Sequence, residues 1–260
     1  MSSKSPLINV IQKSITKLSR RLLRDFGEIE SLQLSDEKIE KFAFNSFSYV
    51  NKTLEEELKL SRPDWPFFTK KNYDPSNINF NKEEYSWIVD PINGYDNFVR
   101  GIPIFAISIA VKKNKEIIAS SIFDPNRDEF FFAEKGKGAY LNDRRIRVSN
   151  RKTLRNSLIS VENNFDNIIS KKISELQRIN NIKIRLISCS SLSFAWLSSG
   201  KIDCFIGNKI SSFISDSGKL ILRESGGFYS ELSSNSDFDL IIANPSIHKE
   251  IIKSMNFNKT

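Results

Sequence analysis

Histidine occurs once in these 260 residues, at His248, and cysteine twice, at Cys189 and Cys204. A single imidazole near the C-terminus makes a Ser-His-Asp or Cys-His nucleophile an unpromising reading, since both need a base to take the proton. The two cysteines have none of the short spacings that hold a metal, so buried reduced thiols and a cytoplasmic compartment are expected. No apolar run approaches the roughly 20 residues that cross a bilayer, and no membrane segment is expected. Acids are missing from the first 24 residues, which carry six Lys or Arg. That bias superficially suits an organellar transit peptide. Against it, Ile8, Ile11, Ile15, Leu18 and Leu22 form an unbroken stripe at helical spacing, and Gly27 stands where such a helix would stop. The segment is therefore read as a helix of the mature protein.

Apolar residues make up 39% of the chain and charged ones 27%, enough for a substantial core in one large domain or two intimately packed lobes. The net charge of +8 raises the question of a nucleic-acid surface. Lys, Asn, Ile, Phe and Ser are all abundant, however, the bias of an AT-rich coding sequence. The cations are scattered over Lys112, Lys113 and Lys115, Lys135 and Lys137, and Arg144, Arg145 and Arg147. Diffuse drift is favoured over a dedicated basic face.

A second helix fits residues 36–60, with Glu55-Glu56-Glu57 as a solvated face. Residues 61–86 are rich in Pro, Asn, Asp and Lys and read as a loop with short ordered pieces. Strands are expected at 85–89, 104–111, 116–123, 129–133 and 145–148. Pro103, Asp124-Pro125-Asn126 and Gly136-Lys137-Gly138 supply turns of an antiparallel meander. Beyond about residue 150, strands at 157–161, 182–187, 203–206 and 240–243 alternate with helices at about 165–178, 190–199, 213–225 and 246–254. The expected organisation is α/β (α+β): a lobe of helices and antiparallel sheet over residues 1–150 and an α/β lobe over 151–260, in one compact unit.

Residues 87–98, Trp-Ile-Val-Asp-Pro-Ile-Asn-Gly-Tyr-Asp-Asn-Phe, resemble the metal-binding signature of the inositol monophosphatase family, D-P-I/L-D-G-T-T/S-N-F. Asp90, Pro91, Ile92, Gly94, Asn97 and Phe98 fit that pattern. Gly101-Ile-Pro103, Ala106–Ile109, Phe123–Asp128, Gly136–Asn142 and Ile221–Gly227 are similar to further family segments in the same order, and Asp25–Glu28 and Asn244 with His248 resemble its bacterial branch of inositol-1-monophosphatases and extragenic suppressor proteins. The resemblance covers nearly the whole chain. It implies the layered α-β-α-β-α sandwich of the inositol monophosphatase and sugar phosphatase fold, and a homodimer. For the catalytic members it implies Mg²⁺-dependent hydrolysis of a small phosphate monoester. For the suppressor branch it implies a partner in the transcription machinery or RNA.

Family chemistry needs a cage of carboxylates around Mg²⁺, which activates water and stabilises the leaving alkoxide. Carried over by the intact flanks, the aspartate of the second helix falls at Phe47 and the paired glutamates at Lys70 and Lys71. The signature aspartates fall at Asp90 and Asn93, its threonine at Tyr95, and the aspartate of the second signature at Ile214. Ile92 remains able to offer a backbone carbonyl. Of these six acidic positions only Asp90 is acidic here, and unit charges about 4 Å apart repel by several kcal/mol at an intermediate dielectric, so Lys70 opposes a cation beside it.

No cofactor is therefore expected, and hydrolysis is expected to be lost or strongly impaired. The alternative is a surviving Mg²⁺-dependent phosphatase with Asp96 or Asp216 as a substitute ligand; two residues past Ile214, Asp216 would be rotated by about 200° on a helix. For the altered pocket two readings stand, the first favoured over the second. One is structural filling, with a Lys70–Asp90 ion pair and with Phe47 and Tyr95 in the vacated space. The other is an anion site in which Lys70, Asn93, Gly94 and Tyr95 hold a small phosphate ligand. Ser188–Ser191 resembles a substrate-contacting turn of the family and equally suits a polar helix cap.

Overall fold

The computed structural model describes residues 4–31, 36–73, 84–162, 167–208, 210, 212–231 and 240–254. Helix α1 (Pro6–Ser31) buries the expected stripe and extends it through Phe26 and Ile29. It does not end at Gly27, where the backbone φ is not positive and an added Cβ would meet nothing within 4 Å; this glycine is an ordinary helical position. Helix α2 (Asp36–Ser61) has Asp36 and Glu37 in its first turn and Lys59 in its last, matching the helix dipole at both ends. Glu55, Glu56 and Glu57 form surface ion pairs with Lys59, Lys52 and Lys17.

The first sheet follows in chain order. Its strands are β1 (Phe67–Phe68), β2 (Tyr85–Asn93), β3 (Ala106–Lys113), β4 (Glu116–Asp124), β5 (Glu129–Glu134), β6 (Gly138–Leu141) and β7 (Arg144–Arg145), with the short helix α3 (Tyr95–Val99) after β2. Spatial order equals chain order. Only β1–β2 is parallel. Two local expectations are corrected. The strand expected at 145–148 shrinks to Arg144–Arg145, because the chain then leaves the sheet and Val148 N–H donates to Ser225 O at 3.2 Å. The turn at Gly136-Lys137-Gly138 is shorter than expected, and Gly138 already begins β6. Residues 74–83 of the expected loop lie outside the described residues.

The second half contains β8 (Leu158–Glu162), α4 (Asn167–Asn180), β9 (Lys183–Leu186), α5 (Ser190–Ser198), β10 (Cys204–Gly207), α6 (Ser212–Glu224), β11 (Phe228–Glu231), β12 (Leu240–Ala243) and α7 (Pro245–Ser254). Sheet order is β11-β12-β10-β8-β9, with β10, β8 and β9 parallel and β12 antiparallel to both neighbours. The expected helix at 165–178 starts at Asn167, its first residues lying outside the description. Strand β11 was not expected; Phe228 at its start is 56% exposed, so it lacks the buried alternation that marks a strand.

Alternation within strands shows the layering. Trp87 and Val89 of β2 and Phe130 and Phe132 of β5 pack with α1 and α2, while Phe131 and Ala133 face α5 and α6. In β12, Leu240 and Ile242 join that same α5–α6 layer, whereas Ile241 and Ala243 pack with Ile247 and Ile251 of α7 and with Ile173 and Leu176 of α4. Five layers follow: α1–α2, first sheet, α5–α6, second sheet, α4–α7. This is the expected α-β-α-β-α sandwich. No described helix is long and apolar enough to cross a membrane.

Candidate functional site

A pocket of about 500 Å³ opens where the end of β2, the start of α3, the end of β8, the segment leading into α5 and the first turn of α6 converge on α2. Phe47, Lys70, Lys71, Asp90, Ile92, Asn93, Gly94, Tyr95, Asp96 and Ile214 all line it. Asp216 does not: it accepts a hydrogen bond from the Tyr73 hydroxyl at 3.2 Å and lies 3.7 Å from Lys112 Nζ.

Strand β2 delivers Asp90 through a break in its own ladder. Its pairing with β3 shifts register between Asp90 and Asn93, and Pro91, which has no N–H to offer, falls inside that irregularity. Burial pushes the Asp90 carboxyl above its ordinary range. The Asn93 amide, the Lys70 charge and the Ile92 N–H pull it partly back.

Asn93 is buried and hydrogen-bonded through both its oxygen and its nitrogen. Its Oδ1 accepts from Ser191 N–H at 2.9 Å and from the Cys189 thiol at 3.3 Å, and its Nδ2 donates to Asp90 Oδ2 at 3.0 Å. A backbone N–H can only donate, so the orientation of this amide follows from its partners. Helix α5 is thus capped by a residue 98 positions away. Among the described residues no side chain of Cys189, its own N-cap, does so. The expectation of a local polar cap at Ser188–Ser191 is corrected accordingly: Ser190 Oγ instead donates to Glu162 Oε1 at 2.7 Å.

Gly94 holds φ +85°, and a Cβ there would stand 2.8 Å from Ile104 O and 3.1 Å from Cys189 Cβ. Only glycine fits. Tyr95 then opens α3, a helix of five residues whose dipole adds little to the pocket. Its ring meets Phe47 edge-on at 6.1 Å, and burial, with Glu40 and Asp96 nearby, raises its hydroxyl pKa. Lys70 and Lys71 are exposed at the tip of a turn closed by Asn72 N–H and Tyr73 N–H, both donating to Thr69 O. Lys71 Nζ lies 5.9 Å from the Phe44 ring.

Glu162 was not singled out from the sequence. It ends β8, and its position at the carboxyl edge of a parallel strand, where α/β sheets bind ligands, was the signal available. Burial raises its carboxyl pKa against the Ser190 hydrogen bond, and Oε2 is buried with no partner among the described residues. His248 lies elsewhere, against Ser230 Oγ at 3.1 Å. Among the described residues no three His, Cys, Asp or Glu side chains form a group able to hold a metal ion.

Residues 3–260 match the inositol monophosphatase family. An inositol-1-monophosphatase of Rhizobium meliloti (strain 1021) is 33% identical over 234 residues, covering 87% of this chain and 85% of that protein. A protein of Xylella fastidiosa named Nus factor SuhB is 29% identical over 229 residues, 86% and 81% of the two chains. The crystal structure of extragenic suppressor protein suhB from Bartonella henselae superposes with a TM-score of 0.81 at 29% identity, over 96% of this chain and 99% of that one. With the layered sandwich and the signature at the mouth of its pocket, the chain belongs to the inositol monophosphatase family.

Proposed function

We propose that this protein has lost, or retains only weakly, the metal-dependent hydrolysis of its family and acts by binding, with the pocket taking a small phosphate-bearing anion through Lys70 and Lys71. One observation carries the reading: Asp90 has the Asn93 amide as a hydrogen-bond donor, and the cations Lys70 and Lys71 line the same pocket. Divalent Mg²⁺ takes several oxygen ligands with excess negative charge. Phe47 and Ile214 bring apolar side chains to this pocket, and Asn93 Oδ1 is already committed to Ser191 N–H. These residues do not fit a Mg²⁺ cage.

The kinship with proteins named SuhB supports a partner in the transcription machinery or RNA, and a homodimer is part of the same reading. Calorimetric titration with Mg²⁺, alongside phosphate release from inositol 1-phosphate, tests the loss of hydrolysis. No saturable Mg²⁺ heat and no release are expected, with measurable binding of inorganic phosphate. Pull-down with purified transcription-elongation factors, an RNA gel shift and sedimentation test the partner and the dimer.

A second reading has its own support: Asp96 and Glu162 line the pocket beside Asp90, and relatives of similar length are named inositol-1-monophosphatase. On that reading a rearranged set of carboxylates supports Mg²⁺-dependent hydrolysis. Saturable Mg²⁺ binding with phosphate release would establish it over the first.

A further inference from the structure

Lys112 is a buried cation of the first sheet, its side chain 11% exposed. An ammonium taken out of water needs a counter-charge and hydrogen-bond partners. Here Asp216 of α6 lies 3.7 Å away, and the Tyr73 hydroxyl bridges the two: it accepts from Lys112 Nζ at 2.9 Å and donates to Asp216 Oδ2 at 3.2 Å. The same ammonium sits 5.4 Å from the Tyr73 ring centroid, and that ring packs against Phe68 and Phe213. None of Tyr73, Lys112 and Asp216 lines the pocket, yet Tyr73 closes the turn whose tip is Lys70-Lys71.

Among the described residues, the turn is otherwise linked to the body of the molecule by the Tyr73 ring against Phe213 and by Lys71 Nζ near the Phe44 ring. It hangs from β1, which pairs with β2 at only two positions, Phe67↔Trp87 and Phe68↔Ile88. Within the turn, Asn72 Oδ1 accepts from Thr69 N–H at 2.6 Å and Nδ2 donates to Phe67 O at 3.1 Å, which shapes the turn without tying it to the rest of the molecule. The side-chain bonds of Tyr73 do tie it, to β3 and to α6 together.

We propose that Tyr73, Lys112 and Asp216 form a clamp that fixes the Thr69–Tyr73 turn and so holds Lys70 and Lys71 at the pocket mouth; they are positioning residues for anion binding. This rests on the reading that the pocket binds an anion through those lysines. Held in place beforehand, the two ammonium groups lose less freedom when the anion arrives, so the clamp raises affinity without touching the ligand.

The test uses the full chain, inorganic phosphate as probe, and the variants Tyr73→Phe and Asp216→Asn. Tyr73→Phe removes one hydroxyl and leaves the Lys112–Asp216 pair in place, so folding is preserved. Losing a hydrogen bond to a charged group is expected to speed amide hydrogen exchange at residues 69–73 about tenfold and to weaken phosphate binding about tenfold. In a chain already carrying Lys70→Ala and Lys71→Ala, Tyr73→Phe should change residual phosphate affinity no further; a merely structural role would weaken both backgrounds alike. Unchanged exchange in the turn overturns the clamp, and so does faster exchange with phosphate affinity intact. Should the unaltered chain take no phosphate, the reading of the pocket falls, while exchange at residues 69–73 still decides for or against the clamp.

Discussion

Asn93 Nδ2 donates to Asp90 Oδ2 at 3.0 Å while its Oδ1 receives Ser191 N–H at 2.9 Å, so one neutral side chain ties the end of β2 to the first turn of α5. An aspartate in that place could serve Ser191 but would confront Asp90 with a second carboxylate. The amide is therefore fitted to a pocket in which Asp90 has a hydrogen-bond donor where the family would place a cation.

Asn93→Asp should accordingly destabilise the protein. It removes a buried donor and sets two acidic groups about 3 Å apart, a combination worth roughly 1–3 kcal/mol at neutral pH. Acidification lets the pair share a proton, so the deficit relative to the unaltered chain should shrink from pH 8 to pH 5. Urea unfolding at the two pH values checks this. An equal deficit at both would mean that the carboxylates never meet.

What the sequence reveals and what it hides separate along chain distance. The helical stripe from Ile8 to Leu22 and the alternation in β3 to β5 are local signals, and they locate their elements within a few residues. Flanking motifs suffice to anticipate that positions 47, 70, 71, 90, 93 and 214, from distant parts of the chain, meet in one pocket. The capping of α5 by Asn93 spans 98 residues and the Tyr73–Asp216 bond spans 143. No periodicity or spacing encodes such pairs, because each depends on the packing of separate layers. Gly27 misleads for the opposite reason: a glycine can end a helix, but here α1 is held by buried residues on both sides of it, Phe26 and Ile29.

Gly94→Ala is the sharpest steric probe of the pocket wall. The added Cβ would press on Ile104 O and Cys189 at a residue with φ +85°. Strain of this kind costs on the order of 1–3 kcal/mol. Urea midpoints should fall, whereas Gly27→Ala, with open space around it, should be neutral or mildly stabilising. Comparable losses at both glycines would contradict the close approach at Gly94.

On the proposed loss of the metal site, Mg²⁺ binding should appear only when several positions change together. Phe47→Asp or Ile214→Asp alone leaves Lys70 acting on Asp90 and should give no saturable Mg²⁺ heat. The combination Phe47→Asp, Lys70→Glu, Lys71→Glu, Asn93→Asp, Tyr95→Thr and Ile214→Asp restores oxygen ligands and removes the repelling charges. Calorimetry should then detect Mg²⁺ binding, along with a rise in the unfolding midpoint on adding Mg²⁺, since a ligand of the folded state alone stabilises it. A folded combination that binds no Mg²⁺ would show that the backbone, as well as the side chains, has moved away from the metal geometry.

Glu162 carries the last test, one of sign. Burial raises its carboxyl pKa in the folded protein, and the Ser190 hydroxyl only partly opposes that shift. A carboxyl with a folded pKa above its unfolded value favours folding while protonated, and that contribution is lost as pH rises from the unfolded value through the folded one. Glu162→Gln keeps an acceptor for Ser190 Oγ and cannot ionise. The variant should therefore gain stability relative to the unaltered chain as pH rises from 4 to 7, with the difference level above the folded pKa. Denaturant unfolding across that range checks the direction. A flat difference would mean that folding leaves the Glu162 pKa unshifted, and one that falls with pH would mean that the site stabilises its charge; either contradicts a carboxyl raised by burial.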